Sequence, residues 1–309
     1  MKTFLQALLF SAILVWINPL FAATFSLPKA DDDMVGNVQM AVVKTGDTFS
    51  TIARHYDVGY YQLVEANPHV NPDQPPVGTV LIVPSEYILP AVHEGIVVNV
   101  AELRLYYFPK GQNSVMTFPL GIGRQDWETP LGVLSIVQKI KNPTWYVPDS
   151  IRADRAKSGV NLPKSVKPGP DNPLGNYALR LSKWTYLIHG TNDPSGVGRR
   201  SSSGCLRMYP EDIQALFNLA FVGMPVRIID LPYKAGWRQD KLYLEAHLPL
   251  QEMQVTDQGK YDELIKQAIN DAIEKHPQIL VSWQDAKTIA AEQQGLPQVI
   301  GQLPMVASN

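Results

Sequence analysis

Twenty-five prolines and 21 glycines are dispersed through the 309 residues, and no single linker collects them. Each proline pins φ and removes a backbone donor, and each glycine eases a tight turn, so long uninterrupted helices have little room. The pattern favours a mainly β fold built from many short strands over a helical bundle. The length suffices for one sizeable core plus one or two small modules.

Three segments can be read after the N-terminus. Residues 40–84 open with the apolar run Met40-Ala41-Val42-Val43, followed by Gly46-Asp47-Thr48. Asp47 or Thr48 suits the N-cap of a helix from Phe49 to His55 that buries Ile52 and Ala53. A second short helix, Tyr60 to Ala66, should stop at Asn67-Pro68, and Thr79 to Val83 closes the unit as a strand. Residues 95–230 read as strands at Ile96–Val100, Leu103–Phe108, Val115–Ile122, Gly132–Gln138, Tyr177–Leu181, Thr185–Ile188 and Val226–Ile229. One helix begins at Pro210, with Ile213, Leu216, Phe217 and Ala220 on an apolar face and Gly223 as its cap. The aperiodic stretch Lys141–Asn176 is too long for an idle loop and is expected to act as a lid or substrate-facing loop. Residues 231–309 form a partly helical extension: Lys241–His247 reads as a further strand of the main domain, Tyr261–Lys275 and Trp283–Gln294 as helices, and Gln302–Asn309 as a frayed end.

Residues 1–22 read as a cleaved signal peptide. Lys2 supplies the positive start, Phe4 to Trp16 the apolar run, and Leu20-Phe21-Ala22-Ala23 a small-residue cleavage site near Ala22. The run is interrupted by Ser11, ended by Asn18-Pro19, and shorter than the ~20 apolar residues of a membrane span. A periplasmic location follows as the expectation, with the membrane engaged only through the signal peptide. The net charge of −2 gives no electrostatic footprint for nucleic acid.

Export makes the single cysteine informative, since it has no internal disulfide partner and a free thiol is a liability in an oxidising compartment. Cys205 lies in Ser202-Ser203-Gly204-Cys205-Leu206-Arg207, sixteen residues after His189, which opens His189-Gly190-Thr191-Asn192. A thiol becomes a nucleophile when a nearby imidazole takes its proton, and the resulting imidazolium lowers the thiol pKa. Backbone N–H groups of the Ser203-Gly204-Cys205 turn are candidates for holding an oxyanion.

This window resembles the L,D-transpeptidase catalytic domain, in which a His-Gly precedes a Ser-x-Gly-Cys-x-Arg segment by about this distance. Pro119-Leu120-Gly121-Ile122-Gly123 and Thr129-Pro130-Leu131-Gly132 fit the glycine-rich hairpin region of that domain. The resemblance implies a strand-rich sandwich or barrel with one packed helix. It implies Cys205 as nucleophile, His189 as general base, the Gly190 carbonyl orienting the imidazole, Gly204 as backbone oxyanion donor, and Ser203 at the oxyanion or loop. Many members carry a second histidine where Ser203 stands. Arg207, Thr191 and Asn192 are the candidates for meeting substrate. Residues 40–84 resemble the β-α-α-β LysM module, which implies glycan binding through Gly46, Asp47 and Thr48.

The reaction so implied is acyl transfer on peptidoglycan stem peptides. Cys205 attacks at meso-diaminopimelate, releases D-alanine, forms a thioester and passes the acyl group to an amine. That amine is another stem (a 3→3 crosslink) or a lysine of an outer-membrane protein. The order of signal peptide, LysM, catalytic domain and extension is most similar to enterobacterial enzymes that attach lipoprotein to peptidoglycan. An L,D-carboxypeptidase using water, and a non-catalytic wall-binding protein using LysM alone, remain as alternatives. The remaining histidines, His55, His69, His93, His247 and His276, show no metal-ligand spacing, so no metal and no cofactor is expected. Trp127, Trp145 and Trp184 are candidates for a substrate groove or for packing.

Overall fold

The computed structural model describes residues 23–29, 32–250 and 258–304; the predicted signal peptide and residues 305–309 lie outside them. The described chain is mainly β. Its helices are α1 (Phe49–His55), α2 (Tyr60–Ala66), α3 (Asp149–Lys157), α4 (Pro210–Leu219), α5 (Gln258–Ile273) and α6 (Trp283–Glu292).

A nine-stranded sheet forms the centre, in the order Ala23–Ser26, Ser114–Pro119, Arg104–Phe108, Gly95–Asn99, Pro225–Ile229, Gly132–Lys141, Tyr177–Leu181, Leu187–His189, Leu206–Arg207. Two pairings are parallel, Gly95–Asn99 with Pro225–Ile229 and Leu187–His189 with Leu206–Arg207; the rest are antiparallel. A parallel pair cannot be closed by a tight hairpin and needs a crossover of a dozen or more residues. Residues 190–205 are that crossover, so the sequence interval between His189 and Cys205 is set by sheet topology.

α4 begins with Pro210 in its first turn beside Glu211 and Asp212, which suits both the missing proline N–H and the helix dipole. It buries Ile213 and Leu216 among Ile136, Leu179, Ile188, Leu206 and Val226. The helix ends at Leu219, and Gly223, at φ +95°, serves the following turn instead of capping it. The stretch expected to be irregular contains α3 and a two-stranded hairpin, Trp145–Tyr146 with Ser165–Val166. α3 buries none of its residues and presents no apolar periodicity to read.

In the N-terminal module, Gln39–Val42 pairs antiparallel with Val80–Val83 around α1 and α2. Thr48, not Asp47, caps α1: its side chain accepts from Thr51 N while the Thr51 hydroxyl accepts from Thr48 N. Asp47 closes the preceding turn by accepting from Lys44 N at 2.8 Å.

Lys241–Ala246 does not extend the main sheet. It belongs to a separate four-stranded sheet with Tyr233–Arg238, Leu280–Val281 and Gln298–Gln302, which packs Trp237, Leu242 and Leu244 against Ile265 and Ile269 of α5 and Ile289 of α6. Alternating apolar positions identify a strand but not its sheet. The strand Gln298–Gln302 reaches the first residue of the end expected to fray and Leu303 N donates to Asp240 O at 2.8 Å, while residues 305–309 of that end lie outside the described residues.

Buried charge joins these units. Lys234 Nζ lies 2.5 Å from Glu102 and 3.1 Å from Glu245, and His247 Nε2 is 2.7 Å from Glu245. Glu102, Glu245 and His247 offer ligand atoms within 4.8 Å of one another, a grouping that spacing in the sequence does not reveal. The Lys234 ammonium already lies against both carboxylates and supplies the cation there. His247 is raised to about 9 by its hydrogen bond to Glu245 and by the Glu65 carboxylate 3.9 Å from Nδ1, which outweigh its burial, so it adds a second positive charge.

Candidate active site

His189 ends its strand opposite Arg207, in register with Ile188 opposite Leu206. Side chains alternate along a strand, so Arg207 and the residue two before it, Cys205, share the face on which His189 lies. His189, Cys205, Ser201, Ser202, Ser203 and Arg207 line one cleft of about 130 Å³. Its far wall comes from the lid: Trp145, Ile151 and Arg155, with Pro173 and Leu174. Arg155 carries no motif and became visible only when the lid folded over the cleft. A larger cleft of about 600 Å³ lies between Leu27–Pro28, Leu89–Pro90 and α5, and contains neither Cys205 nor His189.

The His189 ring is buried, with Nδ1 2.6 Å from the Gly190 carbonyl oxygen. A carbonyl only accepts, so Nδ1 carries the proton and donates, leaving Nε2 as the basic nitrogen. Burial, and after it the Arg207 charge, push His189 down to about 3. Burial pushes the Cys205 thiol up. The resting pair is therefore thiol and neutral imidazole, not the thiolate–imidazolium pair expected from sequence. The cause is a dry site in which, among the described residues, a guanidinium and not a carboxylate acts on the imidazole.

That inverts one expectation. Iodoacetamide alkylation of Cys205 should be slower than that of a free cysteine at about pH 6, and should climb steadily as pH rises, because only the thiolate reacts. Rates of folded protein against pH, with unfolded protein as reference, check it. A fast, pH-independent plateau in mild acid would indicate a thiolate–imidazolium pair instead.

The cysteine turn is held by hydroxyls. Ser202 Oγ donates to Cys205 O at 2.6 Å and accepts from Gly204 N at 3.1 Å. The Gly204 N–H, expected to serve an oxyanion, is thus committed within the turn. Gly204 itself is required there by φ +99° and by Tyr186, whose ring would lie 2.8 Å from an added Cβ. Thr129 Oγ1 donates to Gly204 O and accepts from Gly123 N, both at 3.1 Å. This ties the Thr129-Pro130 signature to the cysteine loop.

Ser203 lines the cleft. Thr191 and Asn192 do not. The Thr191 hydroxyl donates to Asp193 O and accepts from Asp193 N, both at 2.9 Å, so it shapes the turn after His189; Asn192 is exposed beside it. Short polar residues after a strand serve turns as readily as ligands, and the Thr191 hydroxyl serves the turn here. Arg207 does face the cleft, with Nη1 3.5 Å from Ser201 Oγ and its Nε buried without a partner. Gly46 has open space around it, whereas Asp47 and Thr48 have the structural duties given above.

Residues 93–228 match the YkuD family, described as the L,D-transpeptidase catalytic domain, and residues 41–84 match the LysM domain. The chain is 43% identical over 250 residues to the probable L,D-transpeptidase YcfS of Escherichia coli, covering 79% of this chain and 78% of that protein. The chain belongs to the L,D-transpeptidase family. It is also 41% identical to the probable L,D-transpeptidase YbiS of E. coli, over 81% of this chain and 83% of that protein. The probable L,D-transpeptidase ErfK/SrfK of Salmonella typhimurium is 42% identical, over 74% and 75%.

The LysM module is seated directly on the catalytic domain. Arg54 of α1 makes a two-pronged pair with Glu211 of α4 at 2.8 and 2.9 Å. Tyr61 N donates to Gly198 O, and the Arg199 guanidinium stacks 3.2 Å from the Tyr60 ring centre. Gly198 and Arg199 belong to the crossover that links His189 to Cys205, so the two modules meet at that loop.

Proposed function

We propose that this protein is an exported peptidoglycan L,D-transpeptidase that works through a Cys205 thioester. The supporting observation is the arrangement of one cleft: the chain's single thiol and an imidazole whose Nδ1 is fixed on the Gly190 carbonyl, leaving Nε2 as the base. Nε2 takes the thiol proton as Sγ attacks the carbonyl of the L-centre of meso-diaminopimelate in a tetrapeptide stem. The tetrahedral oxyanion is met by the Cys205 amide, since Gly204 N is engaged with Ser202. The imidazolium then protonates the departing D-alanine amine, and an acceptor amine resolves the thioester.

A resting imidazole at about 3 accepts the proton only as negative charge develops on sulfur, so the ion pair belongs to the reaction, not the resting state. Arg207 offers a fixed charge for a stem carboxylate. LysM raises the local concentration of enzyme on glycan strands. The lid over the cleft favours an amine over water as acceptor by limiting water access, which supports transfer to another stem or to an outer-membrane protein lysine over carboxypeptidase action.

Mass spectrometry of disaccharide-tetrapeptide incubated with the protein separates these outcomes. Crosslinked dimer, with D-alanine released, is the expected product. Trimmed tripeptide alone, at high concentrations of every acceptor offered, would replace the transferase with a hydrolase.

A further inference from the structure

Ala23 opens the edge strand of the main sheet, opposite Thr117. Its backbone N–H donates to Asp57 Oδ2 at 3.1 Å. Asp57 lies in the turn after α1 of the LysM module, at φ +54°. Its carboxyl also meets the Asp212 carboxyl of α4 in a hydrogen bond. Arg104, fully buried in the main sheet, donates Nη2 to the Asp57 carbonyl oxygen at 3.1 Å and to Gln62 Oε1 at 3.0 Å. The neighbouring Glu211 is already matched by Arg54. The hydrogen bonds of Arg104 go to the Asp57 carbonyl, Gln62 and Thr117, so its charge acts on the two carboxyls from a distance, and Asp212 Oδ2 is buried without a partner. Four elements meet at a junction where a proton held between two carboxyls, and not a second cation, balances the charge.

We propose that processing after Ala22 places a second cation at this junction: the new α-ammonium of Ala23 pairs with Asp57 and latches the N-terminal strand, the LysM module and α4 together. The exporting cell's signal peptidase would hydrolyse the Ala22–Ala23 amide with one water. The hydroxyl goes to the Ala22 carbonyl and the hydrogen to the Ala23 nitrogen, which takes a further proton at neutral pH. The nitrogen already sits at hydrogen-bond distance from the carboxylate, so no rearrangement is needed. In the chain as it stands, burial lifts Asp57 to about 6 and Asp212 well above its ordinary range; an adjacent ammonium lowers the cost of ionising this pair. The precursor would have a looser LysM junction than the mature protein.

The inference rests on the export reading, which N-terminal sequencing of the exported protein tests by itself; Ala23 is the expected first residue. The latch is tested by comparing mature protein starting at Ala23 with the same protein carrying a four-residue Gly-Ser extension, each with and without Asp57→Asn. At pH 7 the mature form should melt several degrees higher than the extended form, and Asp57→Asn should erase that difference. After ¹³C-dimethylation, which preserves the charge, the α-amine should titrate above the ordinary value of about 8. A mature N-terminus elsewhere overturns the proposal. So do equal melting temperatures for the two N-termini, or an amine titrating at or below its ordinary value.

Discussion

Cys205→Ala should eliminate turnover of tetrapeptide stems and every covalent acyl adduct while leaving the fold in place. Cys205 is a half-buried residue in a turn held by Ser202, Gly204 and Thr129. Removing one sulfur there opens little space, so the melting temperature should move by a few degrees at most. The three serines that line the same cleft do not replace it. Ser202 already donates to Cys205 O, and a hydroxyl is far harder to deprotonate than a thiol. Cys205→Ser should accordingly be slower than the native protein by orders of magnitude. Steady-state release of D-alanine, read beside a thermal melt, distinguishes lost chemistry from lost fold.

His189→Gln should lower turnover by roughly 10²–10⁴-fold, the usual contribution of a positioned general base. The loss should also change shape with pH. Burial holds the Cys205 thiol protonated near neutrality, so without an acceptor the variant depends on thiolate formed by titration alone. Its rate should climb about tenfold per pH unit through the neutral range, where the native enzyme is flat. Native activity should persist well below pH 6, because the base is protonated only near about 3. A parallel drop across all pH values would point to a structural part for the ring instead. Folding responds to the same group. An imidazole held below its unfolded value contributes stability that is present above about pH 6.5 and is lost as pH falls toward 3. His189→Gln should flatten that part of the acid stability curve.

Much of this was legible in the chain. The helices at Phe49–His55 and Tyr60–Ala66 carry caps and stops written in adjacent residues, Thr48 before the first and Asn67-Pro68 after the second. Most strands of the main sheet could be placed because β-branched and aromatic residues alternate with turn residues. That His189 and Cys205 line one cleft was readable because one thiol and one His-Gly segment stand at a distance that a parallel crossover requires. What the sequence withheld depends on partners distant in the chain. Nothing local says that Lys241–Ala246 joins a second sheet. α3 has no buried face, so no apolar period announces it. The resting charge of the site was misread because the thiol–imidazole argument assumes an open pair. Burial and the Arg207 register opposite His189 appear only in three dimensions. Gly204 looked available as an oxyanion donor until Ser202, two residues earlier, was seen to accept its N–H.

Cys205 is proposed to carry the acyl group. The most direct measurement mixes the enzyme with disaccharide-tetrapeptide, quenches in acid within the first turnover, and maps the modified peptide by mass spectrometry. One stem should be added with D-alanine already lost, located on the peptide containing Cys205, sensitive to hydroxylamine as a thioester, and absent from Cys205→Ala. An acyl group on Ser201, Ser202 or Ser203, or product formed at full rate by Cys205→Ala, would contradict it.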